Sequence, residues 1–237
     1  AQPSWGRSPL LRPGADAGAF ADLLSEPAVD ELVAQRGLRT PFVRVARAGS
    51  TLPHSAFTAP GGLGAGIADQ VSDDKLSALF SAGSTIVLQG LHRVWPPVLD
   101  FCQQLAADLG HPVQANAYVT PPQNQGFDDH YDVHDVFVLQ LAGRKHWRVH
   151  APVHTDPLRS QPWNDHRDAV AARARAAIAL RPPISAGSPA RCSLPTQSSS
   201  CATTMSPSRS RGTPIAGEAT STTSPLGSVA PRACAAI

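Results

Sequence analysis

Asn116-Ala117-Tyr118-Val119-Thr120-Pro121-Pro122 leads through Gln125-Gly126-Phe127 into His130-Tyr131-Asp132. Asp135-Val136-Phe137-Val138-Leu139-Gln140-Leu141 and Gly143-Arg144-Lys145-His146-Trp147-Arg148 follow directly. Runs of β-branched and aromatic residues punctuated by proline and glycine read as strands and turns. The pattern predicts a strand from Val113 to Thr120 and a turn at Pro121-Pro122, where neither residue can donate to a ladder. His130 to Asp132 and Val136 to Leu141 are expected to be extended. Gly143-Arg144 turns the chain, and Lys145 to His150 returns as a hairpin partner. Residues i and i+2 of a strand share a face. His130 and Asp132 can therefore direct an imidazole nitrogen and a carboxylate oxygen at one ion, and Asn116 and Tyr118 share a face in the same way.

Upstream, the hydrophobic period is helical. Phe20, Leu23 and Leu24, then Val29, Leu32 and Val33, have helical spacing, with Pro27 opening the second segment. Ser72-Asp73-Asp74 starts a helix through Leu76, Leu79 and Phe80, its acidic first turn complementing the helix dipole. Thr85-Ile86-Val87-Leu88 is a short strand. Pro96-Pro97 opens a helix through Leu99, Phe101, Cys102, Leu105 and Leu109 that stops at Gly110. Helices first and strands later predict a helical N-terminal layer on an antiparallel β domain.

The composition changes near residue 181. Among residues 182–237, Ser, Thr, Pro, Ala and Gly make up 40 of 56, Glu218 is the single acid, and no Phe, Trp, Tyr or His occurs. So little apolar surface does not offset the entropy of ordering. The stretch is expected to be a disordered tail or an out-of-frame product, the second being favoured because the β domain is interrupted before it can close. With Ala1 first and Met205 the one methionine, a processed or incomplete product is expected. The domain plan is then 1–84 as a helical N-terminal part, 85–181 as an incomplete β core, and 182–237 as the low-complexity tail.

Bulk properties exclude several function classes. A formal charge of +2 over 237 residues gives no electrostatic footprint for nucleic acid or a membrane surface. No basic stripe or recognition helix is present, and no run reaches the roughly 20 apolar residues of a membrane span. Cys102, Cys192, Cys201 and Cys234 lack metal-ligand spacing and form no dense framework. Cys102 reads as a small core residue. A cytoplasmic protein is expected.

The block from about residue 110 to 150 closely resembles the JmjC-type cupin family of ribosomal oxygenases, the Fe(II)- and 2-oxoglutarate-dependent protein hydroxylases. The likeness is weaker but consistent from Trp5 to Gly110, and disappears after about residue 181. The resemblance implies a mainly β fold with N-terminal helices: a double-stranded β-helix (cupin/jelly-roll, JmjC-like), incomplete at the C-terminus. By the same resemblance His130 and Asp132 match the first two iron ligands. Lys145 matches the base that pairs with the distal carboxylate of 2-oxoglutarate, and Asn116 and Tyr118 match residues lining the cosubstrate pocket. It further implies Fe(II) as cofactor, 2-oxoglutarate as cosubstrate, a protein substrate such as a ribosomal protein, and homodimerisation through a helical segment.

Two histidines and one carboxylate on one face of Fe(II) leave positions open for a chelating cosubstrate and O2. In the family the second histidine comes about sixty residues after the first. Here that region reads Gly187-Ser188-Pro189-Ala190-Arg191-Cys192-Ser193-Leu194-Pro195, and the last histidine is His166. His134 shares a strand face with His130 but would lie roughly 13 Å away at about 3.3 Å per residue, too far to share an ion. Cys192 is a poor thiolate substitute. His146 and His150 read as surface or structural, and Trp147 as core. Outside the family context, Lys145 reads as a solvated hairpin lysine, Tyr118 as a core aromatic and Asn116 as a turn amide. The expected activity is hydroxylation of a protein side chain, weak or absent in this chain. The alternative is an inactive, truncated cupin serving as a binding module or non-functional fragment.

Overall fold

The computed structural model describes residues 9–10, 20–143 and 145–179, together with three short strands further on, given below by their backbone alone. The elements run α1 (Glu26–Gln35), β1 (Val43–Arg47), β2 (Ser50–Thr51), β3 (Thr58–Ala59), β4 (Gln70–Val71), α2 (Asp73–Ser81), β5 (Thr85–Leu88) and α3 (Pro96–Leu109). They continue with β6 (Val113–Ala115), β7 (Ala117–Thr120), β8 (His130–Tyr131), β9 (Val136–Phe137), β10 (Lys145–Val149) and α4 (Arg167–Ala179). The three further strands are β11 (Thr203–Met205), β12 (Pro214–Ala219) and β13 (Cys234–Ala236). Of residues 182–237 only these strands are described. The expected disordered or out-of-frame stretch otherwise lies outside the described residues.

The helices begin and end where local chemistry dictates. Ser25 caps α1, its Oγ accepting the Ala28 N–H at 3.2 Å, and Pro27 sits in the first turn. Ser72 caps α2 ahead of Asp73 and Asp74. Pro96 and Pro97 open α3, and Gly110 closes it at φ +67°, a left-handed conformation that costs glycine little. Leu32 of α1, Leu76 of α2 and Val98 and Cys102 of α3 are buried in one apolar cluster. Each such aliphatic side chain contributes about 1.5–3 kcal/mol through removal from water.

These helices cover one face of a five-stranded sheet of order β13-β7-β5-β1-β2, whose pairings are antiparallel. Its register sorts the side chains. Val43 pairs with Leu88 and Leu88 with Ala117, while Val45 pairs with Ile86 and Ile86 with Val119. All six belong to the core cluster. The alternate row, Arg44 with Val87 and Val87 with Tyr118, points to the opposite side. The first 84 residues thus contribute a central strand as well as helices. The chain enters that strand's neighbour β2 through Ala48 and Gly49, both at positive φ, in a two-residue hairpin turn.

Two more sheets complete the β part, of order β10-β12-β8 and β6-β11-β9. Two expectations are corrected here. The predicted strand 113–120 is interrupted at Asn116 and divides between two sheets. The predicted hairpin does not form: β9 pairs with β11 and β10 with β12. Local alternation specifies extended backbone, but partners distant in sequence determine which sheet each strand joins. No helix among the described residues is long and apolar enough to cross a membrane.

Candidate functional site

A cavity of about 210 Å3 opens beside the row that faces away from the core. Tyr118, His130, Asp132 and Lys145, four of the five residues selected from sequence, line it. Asn116 does not. It is 8% exposed, and its Oδ1 accepts the Gly90 N–H at 3.0 Å and the Gln114 amide at 3.2 Å. Asn116 therefore ties the break between β6 and β7 to the chain ahead of α3.

His130 is held by its own loop. Its Nδ1 lies 2.6 Å from the Asp128 carbonyl oxygen. A carbonyl can only accept, so this contact requires the proton on Nδ1 and leaves the Nε2 lone pair available. That is the tautomer a metal needs, with the outer hydrogen bond orienting the ring. The His130 ring lies 6.2 Å from the Phe127 ring and 6.0 Å from Trp163. Arg167 stacks over Trp163 at 4.8 Å.

The Lys145 ammonium lies 4.7 Å from the Trp147 ring centroid and 5.6 Å from that of Tyr118. At this range the aromatic faces attract a cation. Burial pushes the Tyr118 phenol above its ordinary value and the Asp132 carboxylate adds to the rise, while Arg44 and Asn116 pull the other way. Asp132 thus makes itself felt at Tyr118. The donor set suits two positions of an iron site, an imidazole nitrogen and a carboxylate. Among the described residues there is no group of three metal-binding side chains. His134 does not change this: the chain bends at Val133–His134, so straight-strand spacing does not apply, and His134 is not a cavity residue.

The loop carrying His130 is fixed by close approaches. Gly49 donates its N–H to the Gly126 carbonyl at 3.1 Å. A Cβ at Gly49 would lie 2.0 Å from Asp128 Oδ2, and one at Gly126 would lie 2.7 Å from Thr85 Oγ1. Thr85 Oγ1 in turn hydrogen-bonds Thr120 Oγ1 at 3.0 Å, and both threonines line the cavity. Just past β10 the His150 side chain is buried, with Nε2 3.7 Å from Asp129 Oδ1. The His146 side chain lies outside the described residues.

Sequence inspection missed Arg44, Phe127 and Trp163 as cavity residues. The signal for Arg44 was present: Val43-Arg44-Val45 alternates with period two, which sets the arginine on the face opposite two core valines. Trp163 carries no such signal, since it reaches the cavity from a single helical turn over Trp163–His166.

The JmjC domain family matches residues 96–180, from the start of α3 to the end of α4; the JmjC domain is a cupin fold, in keeping with the mostly stranded structure and its several helices. The bifunctional lysine-specific demethylase and histidyl-hydroxylase NO66 of Aedes aegypti is 30% identical over 151 residues, covering 62% of this chain and 22% of that protein. Ribosomal oxygenase 1 of Rattus norvegicus is 43% identical over 75 residues, covering 32% and 13%. Ribosomal oxygenase 1 of Gallus gallus is 32% identical over 157 residues, covering 64% and 24%. The matched part is thus less than a quarter of each relative's length. Residues 96–180 thus match the JmjC domain family, and the chain is similar to JmjC ribosomal oxygenases over the stretches given.

Proposed function

We propose that this chain is an Fe(II)- and 2-oxoglutarate-dependent oxygenase that hydroxylates a protein side chain, a ribosomal protein being the natural candidate, in the cytoplasm. The observation that carries the proposal is that Tyr118, His130, Asp132 and Lys145 line one cavity, although they come from three different strands and a loop. His130, through Nε2, and Asp132 would hold the metal. Iron supplies activation of O2 when bound. Lys145 would neutralise the distal carboxylate of 2-oxoglutarate, because a carboxylate leaving water needs a fixed cation. Trp147, Trp163 and Phe127 line the same space and would press the cosubstrate toward the polar wall.

One observation favours a second reading, an inactive cupin that binds a partner. Among the described residues no third metal donor joins His130 and Asp132. Two experiments separate the readings. Anaerobic titration of the full chain with Fe(II) and 2-oxoglutarate reads binding, and succinate formation reads turnover. Binding together with substrate-free succinate formation supports the oxygenase. Binding of neither, in folded protein, leaves the binding module. Lys145→Ala should weaken 2-oxoglutarate at least tenfold, on the scale of about 1.5–3 kcal/mol for a hydrogen bond to a charged group. Retention of affinity in that variant contradicts the assignment of the cosubstrate carboxylate.

A further inference from the structure

The cavity holds a second cation that the family pattern does not assign. Arg44 lies on β1 in the cross-strand row Arg44–Val87–Tyr118, so it shares the cavity face with Tyr118 from two strands away. Its guanidinium carbon sits 6.0 Å from the Phe127 ring centroid, and its side chain lines the same cavity as Lys145. The Arg44 Nε is buried and has no hydrogen-bond partner among the described residues. No described carboxylate, Asp128 and Asp132 included, lies within ion-pair distance of Arg44. A buried donor without an acceptor is destabilising, and an apolar residue would suit this central strand better. The position therefore makes sense as one kept for an anion.

Lys145 approaches Tyr118 as well, its Nζ lying 5.6 Å from the ring. We propose that Arg44 is a cosubstrate-binding residue: its guanidinium and the Lys145 ammonium hold the distal carboxylate of 2-oxoglutarate from two sides of Tyr118. The inference rests on the oxygenase reading and adds a residue to it. The planar guanidinium fork offers two parallel donors to a carboxylate, whereas the lysine offers a point charge. The pair thus supplies both direction and charge. A 2-oxo acid that lacks a distal carboxylate engages neither.

The test measures affinity rather than turnover. Trp147 and Trp163 line the cavity, so intrinsic fluorescence, checked by calorimetry, reads binding to the full chain with Mn(II) under nitrogen. The ligands are 2-oxoglutarate and 2-oxobutanoate, which differ in the distal carboxylate. Arg44→Ala should weaken 2-oxoglutarate roughly 10- to 100-fold, leave 2-oxobutanoate unchanged, and be partly restored by Arg44→Lys. Arg44→Gln, closer in shape, serves if the alanine variant does not fold. Unchanged 2-oxoglutarate affinity in a folded Arg44 variant, with affinity lost in Lys145→Ala, overturns the role of Arg44 and leaves the oxygenase reading standing. Equal loss of both ligands assigns Arg44 to structure and overturns the proposal. If the unaltered chain binds neither ligand, the cosubstrate reading fails and this inference fails with it.

Discussion

Gly126→Ala tests how the loop bearing His130 is seated on the sheet. The added Cβ would stand 2.7 Å from Thr85 Oγ1, 3.0 Å from Thr85 Cβ and 3.3 Å from Thr85 Cγ2. Thr85 cannot rotate away freely, because it is 1% exposed and its Oγ1 is bonded to Thr120. Either that hydrogen bond breaks, at a net cost of about 1 kcal/mol, or the loop lifts, at the overpacking cost of about 1–3 kcal/mol. Urea unfolding followed by tryptophan fluorescence should show a loss in that range, a midpoint shift of about 1 M for a slope near 2 kcal/mol per M. Gly66→Ala is the control, since a Cβ there meets nothing within 4 Å. Thr85→Ala removes the Oγ1 and Cγ2 contacts but keeps the Cβ at 3.0 Å, so it relieves the overlap in part. The double variant should therefore lose less than the two single losses summed, a coupling of about 1 kcal/mol in the double-mutant cycle. Strictly additive losses, or Gly126→Ala as stable as Gly66→Ala, would refute the reasoning.

Asn116→Ala should destabilise by about 1–3 kcal/mol, because the Gly90 N–H loses its acceptor in a buried setting; chemical denaturation measures it. The Cys102 thiol, buried on α3 and pushed up to about 11 by desolvation, should resist iodoacetamide at pH 8 in the folded chain and react once urea exposes it, as peptide mass mapping would show. Tyr118 and Tyr131, the two tyrosines of the chain, are both raised by burial, with Asp132 and Asp165 respectively adding to the effect. Folded protein then keeps these protons past the pH at which the unfolded chain releases them. Their contribution to stability is complete below about pH 10 and declines as pH rises beyond it. Phenolate absorbance should appear at higher pH in folded than in urea-unfolded protein, and coincident curves would contradict the burial.

The helices were legible because their determinants are local. Pro27, Ser72, Pro96-Pro97 and Gly110 each mark a boundary that the structure keeps, whereas the helical spacing of Phe20, Leu23 and Leu24 gives only a turn, and α4 was not read from the sequence. The strands were legible as strands but not as partners. Nothing near Gly143 says that β10 pairs away from β9, since that choice is made by residues more than sixty positions further on. His130, Asp132, Tyr118 and Lys145 could be named together because a family pattern joins them, and the cavity they line then follows from the strands that carry them. Asn116 does not itself line the cavity, although its side chain reaches Tyr118 there. The i, i+2 rule assumes an unbroken strand, and the chain leaves one sheet for another at that residue.

Strand β5, between β1 and β7, has no water-facing side. All four residues of β5 are buried, Ile86 and Leu88 against the helices and Thr85 and Val87 toward the cavity side. Most sheets spend every second residue on solvent and tolerate nearly anything there. In this one, a scan of all substitutions along β5 should find no permissive position, yet two kinds of failure should alternate residue by residue. Changes at 86 and 88 lower the amount of folded protein in a cell. Changes at 85 and 87 leave that amount higher and impair ligand capture instead. Scored separately for abundance and for binding, four consecutive codons would give two profiles one residue out of phase.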